Sequence, residues 1–211
     1  MEFNSVRLLL TLLLGVLVPA VCPAQDFSAD AVFIDRDATA GSLEADKSAH
    51  NPSRLFVSEE KIRLEMGRPT GTILLVNAAE QTAFAVFPAK KEYEPLAGAV
   101  SEYFRVSDPE DACHDWQKAS AQKVDCEKVG HEIVDGRPTV KYRNKNASDV
   151  AISAVWIDPE LKFVLKWQSA GIGAELHNIQ EGKQAADLFT LPSDYDVPKP
   201  RKGTNKGFSN K

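Results

Sequence analysis

Cysteine, histidine and methionine are scarce in this chain, at 3, 4 and 2 copies in 211 residues, and the scarcity narrows the chemistry open to it. His50, His114, His131 and His177 are scattered with no repeated ligand spacing, and no HExxH pair occurs. A zinc site on Cys113, His114 and Cys126 would need a further ligand, and only the unspaced acids Asp111, Asp115 and Asp125 stand near. Structural zinc shows a closed four-ligand spacing instead. There is no glycine-rich phosphate loop and no serine in a nucleophile elbow. Glu59 and Glu60 adjoin at an expected turn, where carboxylates are simply solvated; acid and base work needs them converging on a buried site. The expectation is a chain with no catalytic residues, metal or cofactor, an unrecognised hydrolase being the alternative.

Long apolar runs are missing too, once residues 1–24 are set aside. That stretch has Arg7, an apolar run over 8–18 and the small residue Ala24 before Gln25. This is the layout of a cleavable export signal, because the apolar core is too short to span a bilayer. A rival reading makes Cys22 a lipid-modified first residue, but Val21 stands where such sites want a small side chain. Cleavage near Ala24 and a periplasmic or secreted location are therefore expected, with 25–197 forming one domain by length. The formal net charge is −5, and 198–211 contributes Lys199, Arg201, Lys202, Lys206 and Lys211 with no acid. The body thus holds all of the acidic excess, which argues against nucleic acid as a partner. The basic tail reads as a solvated, disordered end, and its other reading is peripheral contact with an anionic membrane surface. Asn146-Ala147-Ser148 fits a glycosylation acceptor that only a eukaryotic secretory route would use.

Without the signal, two cysteines remain, and two thiols in an exported chain most often pair. A Cys113–Cys126 bridge would close a modest loop and stabilise by about 3 kcal/mol on the chain-entropy account.

Period-two patterning dominates the body. Residues 27–34 read as a first strand followed by a polar loop over 35–53, and 61–66 alternates strictly, with Arg63 and Glu65 outward. Over 72–87, a hairpin about 78–81 sets Leu75 opposite Phe84 and Ile73 opposite Val86, and on the other face Val76 opposite Ala83 and Leu74 opposite Ala85. Both faces are apolar, as in strands covered on two sides. A turn at 88–91 leads into Glu92, Tyr93 and Glu94. Asp135-Gly136 is a two-residue hairpin signal that places Val129, His131 and Ile133 across from Tyr142, Val140 and Pro138 on a dry face. Lys128, Glu132, Arg137, Thr139, Lys141 and Arg143 collect on a wet one. His131 is expected there as a hydrogen-bonded core histidine. A last hairpin, turning at 158–161, pairs Trp156 with Phe163, Ala154 with Leu165 and Ile152 with Trp167. One more strand is expected over 174–180 and a short helical turn over 183–189. Helical spacing is confined to 97–106 and 109–122, between the two sets of strands. The result is a mainly β, α+β chain: an antiparallel sheet of roughly eight to ten strands, strongly curved, with a helical insertion on its concave side.

The aromatic set carries what functional weight there is. Phe84, Trp156, Phe163 and Trp167 fall on faces that the expected registers bury. They form either plain core or the lining of a cavity for an acyl chain or another greasy ligand.

Arg54-Leu55-Phe56-Val57-Ser58, Lys61-Ile62-Arg63-Leu64-Glu65-Met66, Ile73-Leu74-Leu75-Val76-Asn77 and Ala83-Phe84-Ala85-Val86-Phe87-Pro88 resemble segments of bacterial envelope proteins of unknown function. Those proteins are related in fold to the LolA and LolB type of periplasmic lipoprotein carrier and outer-membrane receptor. The stretch from Cys126 through Asp135-Gly136-Arg137 to Lys141-Tyr142 and the ending Leu188-Phe189 to Leu191-Pro192-Ser193-Asp194-Tyr195 are similar too. The resemblance implies an unclosed β-barrel whose concave apolar face, lidded by helices, binds acyl chains, so a lipid or lipidated protein is the implied partner. The carriers have an Arg-Pro step where this chain has Glu59-Glu60. That arginine belongs to their lid mechanism, and the carrier cycle is not transferred. The two function classes left by the sequence are a non-catalytic binder of a hydrophobic ligand and an envelope interaction module with a filled core.

Overall fold

The computed structural model describes residues 26–35, 53–67, 71–97, 104–119, 124–147 and 152–198. The expected export signal with Cys22, most of the 35–53 loop with His50, and the basic tail lie outside the described residues, as does most of 97–106.

Eleven strands form one antiparallel sheet. They are β1 (Phe27–Asp35), β2 (Ser53–Ser58), β3 (Lys61–Glu65), β4 (Ile73–Asn77), β5 (Thr82–Phe87), β6 (Glu92–Pro95), β7 (Cys126–Val134), β8 (Arg137–Asn144), β9 (Ala154–Asp158), β10 (Phe163–Gln168) and β11 (Ile172–Glu181). The spatial order is β6-β5-β4-β3-β2-β1-β11-β10-β9-β8-β7. Two meanders of consecutive hairpins are thus joined by the pairing of the first strand with the last, and the sheet stays unclosed, with β6 and β7 at its ends. The count is one above the expected eight to ten. A short 3-10 turn at Ala186–Phe189 falls where the helical turn was expected.

The registers explain the curvature. Leu75 faces Phe84, Ile73 faces Val86, Val76 faces Ala83 and Leu74 faces Ala85, as the alternation required. One face of this hairpin turns into the concave core. The other is covered by the C-terminal segment, where the Arg63 guanidinium donates to the Leu188 carbonyl at 2.9 Å. Two-sided cover is why β4 and β5 are apolar on both faces.

The one α-helix among the described residues, α1 (Ala112–Ala119), lies within the expected 109–122. It packs through Ala112, Cys113 and Trp116 on Val140, Tyr142, Val155 and Ile157 of β8 and β9. The Tyr142 hydroxyl, buried with its ring, donates to the Pro109 carbonyl at 2.9 Å and accepts from the Ala112 N–H at 3.4 Å. Burial pushes this phenol above its ordinary pKa. The Cys113–Cys126 disulfide, with Cα atoms 5.5 Å apart, ties α1 to the start of β7.

The β7–β8 hairpin corrects one expectation. His131 faces Val140 and Ile133 faces Pro138 as read, but a bulge between Lys128 and Gly130 drops Val129 from the ladder. Val129 and Ile133 are 48% and 69% exposed, and the His131 side chain is outward beside Glu110. Thr139, expected on the wet face, is fully buried and donates to the Glu132 carbonyl. β7 is an edge strand, whereas α1 packs over Val140 and Tyr142 of β8.

The disulfide adds a covalent tie to the side-chain packing that holds α1 on the sheet. Replacing Cys113 and Cys126 together by serine should lower unfolding free energy by about 3 kcal/mol, read as a shift of the urea midpoint at unchanged slope.

Candidate functional site

The β9–β10 hairpin decides which side chains reach the concave face. Phe163 lies opposite Asp158 and Val164 opposite Ile157; then a bulge at Leu165 sets Lys166 opposite Trp156 and Trp167 opposite Val155. The expected pairs of Trp156 with Phe163 and Ile152 with Trp167 do not form. The turn accounts for the shift. Asp158 remains in the strand, its Oδ1 accepts from the Glu160 and Leu161 N–H groups at 2.8 and 3.0 Å, and Lys162 takes a left-handed conformation. Leu161 is thereby folded into the core. The bulge then reverses the alternation, as an unpaired extra residue must.

The consequence is a split of the two tryptophans. Trp167 lies beside Ala174 of β11, and Ala174 beside Phe33 of β1, so this row points into the concavity. Trp156 belongs to the opposite row, with Lys166, Glu175 and Lys141 as neighbours. It is 5% exposed, a member of the buried cluster that includes Val134 and Ala154, and the Lys141 and Lys166 ammoniums lie over its ring at 4.6 and 5.2 Å. Its indole N–H donates to Glu132 at 2.6 Å. The Lys141 hydrogen bond, then that of the indole, holds the Glu132 carboxyl below its ordinary pKa.

Phe84 is likewise on the convex side, in the row of Leu75 and Arg63, edge-on to Tyr93 with centroids 5.6 Å apart. Of the four aromatic candidates, Phe163 and Trp167 border the concave pocket, and Phe84 and Trp156 do not.

The pocket sits where β10 and β11 diverge. Only Lys166, Trp167 and Gln168 of β10 pair with β11. Beside the start of β10, a short extended segment, 104–106, takes that place: the Val164 N–H donates to the Phe104 carbonyl at 2.8 Å, and the Val106 N–H to the Lys162 carbonyl at 3.1 Å. These described residues close the region read as helical over 97–106, and they are extended rather than helical. Gly173 permits the tight end of the fork, since a Cβ there would come within 2.8 Å of the Trp167 carbonyl oxygen.

Into the fork open about 130 Å³ of space, walled by Leu74 and Val76 of β4, Ile62 and Leu64 of β3, Leu55 of β2, Ala31 and Phe33 of β1 and Ala174 and Leu176 of β11. Phe163, Val164, Leu165 and Trp167 of β10 complete the wall with Phe104. Every lining side chain is aliphatic or aromatic. Phe104 stacks on Phe163 at 6.0 Å, and Phe27 meets the same ring edge-on at 5.1 Å. Sequence reasoning missed Phe104 because Val100, Tyr103 and Phe104 have helical spacing. The signal that would have found it is the alternation Phe104, Arg105, Val106.

A wider groove of about 740 Å³ crosses the convex side between β3–β5 and the C-terminal segment. The Arg63–Glu65 ion pair at 2.7 Å lies on it. Among the described residues, no three His, Cys, Asp or Glu side chains converge as metal ligands.

No family model matches the sequence, and no curated protein does. Solved structures are similar in fold only. An uncharacterised conserved protein of Thermus thermophilus aligns at a TM-score of 0.48 and 11% identity, over 83% of this chain and 90% of its own. The MucA/MucB complex of Pseudomonas aeruginosa aligns at 0.45 and 15%, over 84% of this chain and 59% of that one. A LolA superfamily protein of Nitrosomonas europaea aligns at 0.32 and 11%, over 80% and 91%. The structural neighbours thus include a LolA superfamily protein.

The turn that delivers Leu161 and Phe163 to this region is clamped by Arg137. Its guanidinium binds Asp158, which is 1% exposed, and also Glu160 and Glu181. Arg137→Met should cost about 3 kcal/mol in urea unfolding, because the Asp158 carboxylate stays buried without its counter-charge. Lys91→Met, which removes an exposed pair with Asp194, should leave the midpoint nearly unchanged.

Proposed function

We propose that this protein is an exported, non-catalytic binder of a hydrophobic chain, the acyl chain of a lipid or of a lipidated protein, held in the concave pocket at the β10–β11 fork. One observation carries the reading: fourteen aliphatic or aromatic side chains from six strands and a crossing segment line the space, the Trp167 indole N–H being the one side-chain hydrogen-bonding group among them. Such a lining offers a ligand mainly burial, which selects for aliphatic or aromatic carbon. The Cys113–Cys126 bridge and the leading apolar stretch support an oxidising compartment outside the cytoplasm.

Size sets the expected strength. The pocket is close to an engineered void that accepts benzene, of about 150 Å³, and smaller than a drug-sized site of about 300 Å³ or more. It therefore takes about six carbons at once, and at about 0.8 kcal/mol per methylene the gross gain is about 5 kcal/mol. Before the cost of association is subtracted that gain corresponds to a dissociation constant of about 0.2 mM, so a chain gripped by the pocket alone binds no more tightly than that. The modest volume is also the observation that favours a filled-core interaction module, and one experiment separates the two. N-phenyl-1-naphthylamine, neutral and apolar, should brighten on titration into the native protein as its six-carbon phenyl ring enters the pocket and its naphthyl group rests at the mouth. Leu64→Trp, which fills the pocket from β3, should abolish the signal while costing about 1–3 kcal/mol of stability through overpacking. An equal signal from both proteins, or none from the native one, would reject the pocket as the binding site.

A further inference from the structure

A wall residue of the apolar pocket, Phe163, adjoins a cation that has no counter-charge bound to it among the described residues. Arg105 lies between Phe104 and Val106 in the extended segment, opposite Phe163 across an isolated antiparallel bridge. Its Nε, Nη1 and Nη2 atoms are all buried, and none has a hydrogen-bond partner. The guanidinium carbon stands 5.9 Å from the centroid of the Phe163 ring, the same ring that walls the pocket. The other described arginines behave differently. Arg54, Arg63, Arg137 and Arg143 each bind a carboxylate, those of Asp30, Glu65, Asp158 and Glu127.

Two acids act on Arg105 from a distance, Asp26 and Glu60, and burial outweighs them, so the guanidinium is pulled below its ordinary pKa. Asp26 is already engaged: its carboxylate accepts from the Ser58 hydroxyl at 2.8 Å and the Glu59 N–H at 2.9 Å. Glu60 is exposed at the β2–β3 turn. A cation over a ring gains less than is lost by stripping water from a guanidinium that makes no hydrogen bond. Methionine or leucine would fill this position at lower cost if packing were its whole purpose. Nor does the charge reach solvent at the end of a buried stem, because the nitrogens themselves are buried.

An arginine presents paired N–H groups that match two oxygens of one anion. We infer that the ligand is a single-chain amphiphile, its hydrocarbon in the apolar pocket and its anionic head, a carboxylate or a phosphate, received by Arg105 across the Phe163 ring. This inference rests on the pocket reading and adds the head group to it.

The test is competition for bound N-phenyl-1-naphthylamine by decanoate, decyl phosphate and decanol, which share one chain and differ in the head. Well above the carboxylate pKa range, at least one of the two anions should displace the probe about tenfold more tightly than decanol, and the stronger anion names the head. Arg105→Met should bring the anions and decanol to equal affinity. It should also raise the thermal midpoint of the ligand-free protein, because an uncompensated buried charge has been removed. Equal displacement by all three ligands in the native protein would overturn the anion site and leave the pocket standing. Displacement by none of them would remove both. The comparison of ligands on the native protein decides the matter even if the variant does not fold.

Discussion

The antiparallel pairing of β1 with β11 is the constraint on which the rest of this molecule depends. Every other strand pairing joins neighbours in the chain. The β1–β11 ladder runs from Phe27 beside Glu181 to Asp35 beside Ile172 and joins the two ends of the domain. Loop closure over such a distance costs only slowly more than over a short one, so the penalty is kinetic rather than thermodynamic. Ala31 and Phe33 on one side and Ala174 and Leu176 on the other meet only when this ladder forms. The pocket is therefore a property of the finished sheet and of neither meander alone.

An open sheet leaves two edges, and the chain treats them differently. At β6 the C-terminal segment covers the edge: the Tyr93 N–H donates to the Asp196 carbonyl and the Asp196 N–H to that of Lys91, both at 3.0 Å. The strand is also short and ends in Pro95. At β7 the protection is local, through the bulge at Val129, a glycine at 130 with φ of 148° and charged neighbours such as Glu127, Lys128 and Glu132. These devices explain why β7 reads as one half of an amphipathic hairpin yet leaves Ile133 in solvent. Period two identifies a strand without saying whether another element lies over it.

The same limit explains how much of the site was legible. The β4–β5 register could be read from side chains because its turn was correctly bounded and no bulge interrupts it. In β9 and β10, Val155, Ile157 and Val164 are as apolar as Trp156, Phe163 and Leu165, so alternation carries no information about which face is which. A bulge at Leu165 could then reverse the pattern without burying a polar group in the wrong place. Phe163 and Trp167 reach the pocket, whereas Trp156 and Phe84 are placed by register on the far side. The Phe104 segment was hidden for a different reason: its role is to fill a gap between two strands, and a gap is visible only once the sheet exists. The disulfide and α1 were legible because each follows from local composition.

Two of the ring-bound cation sites among the described residues show what separates structural from functional charge here. On the convex face, Lys141 and Lys166 lie over Trp156, and each is answered by a carboxylate, Glu132 at 2.8 Å and Glu175 at 2.6 Å. That cluster is complete and needs nothing further. On the concave side, Arg105 lies over Phe163 at a comparable distance, with its donors unused and apolar space on the other side of the wall. Both arrangements draw on the same attraction between a cation and a ring, so that attraction cannot account for the difference between them. What differs is the anion, which the chain itself supplies in one place and leaves to be supplied in the other.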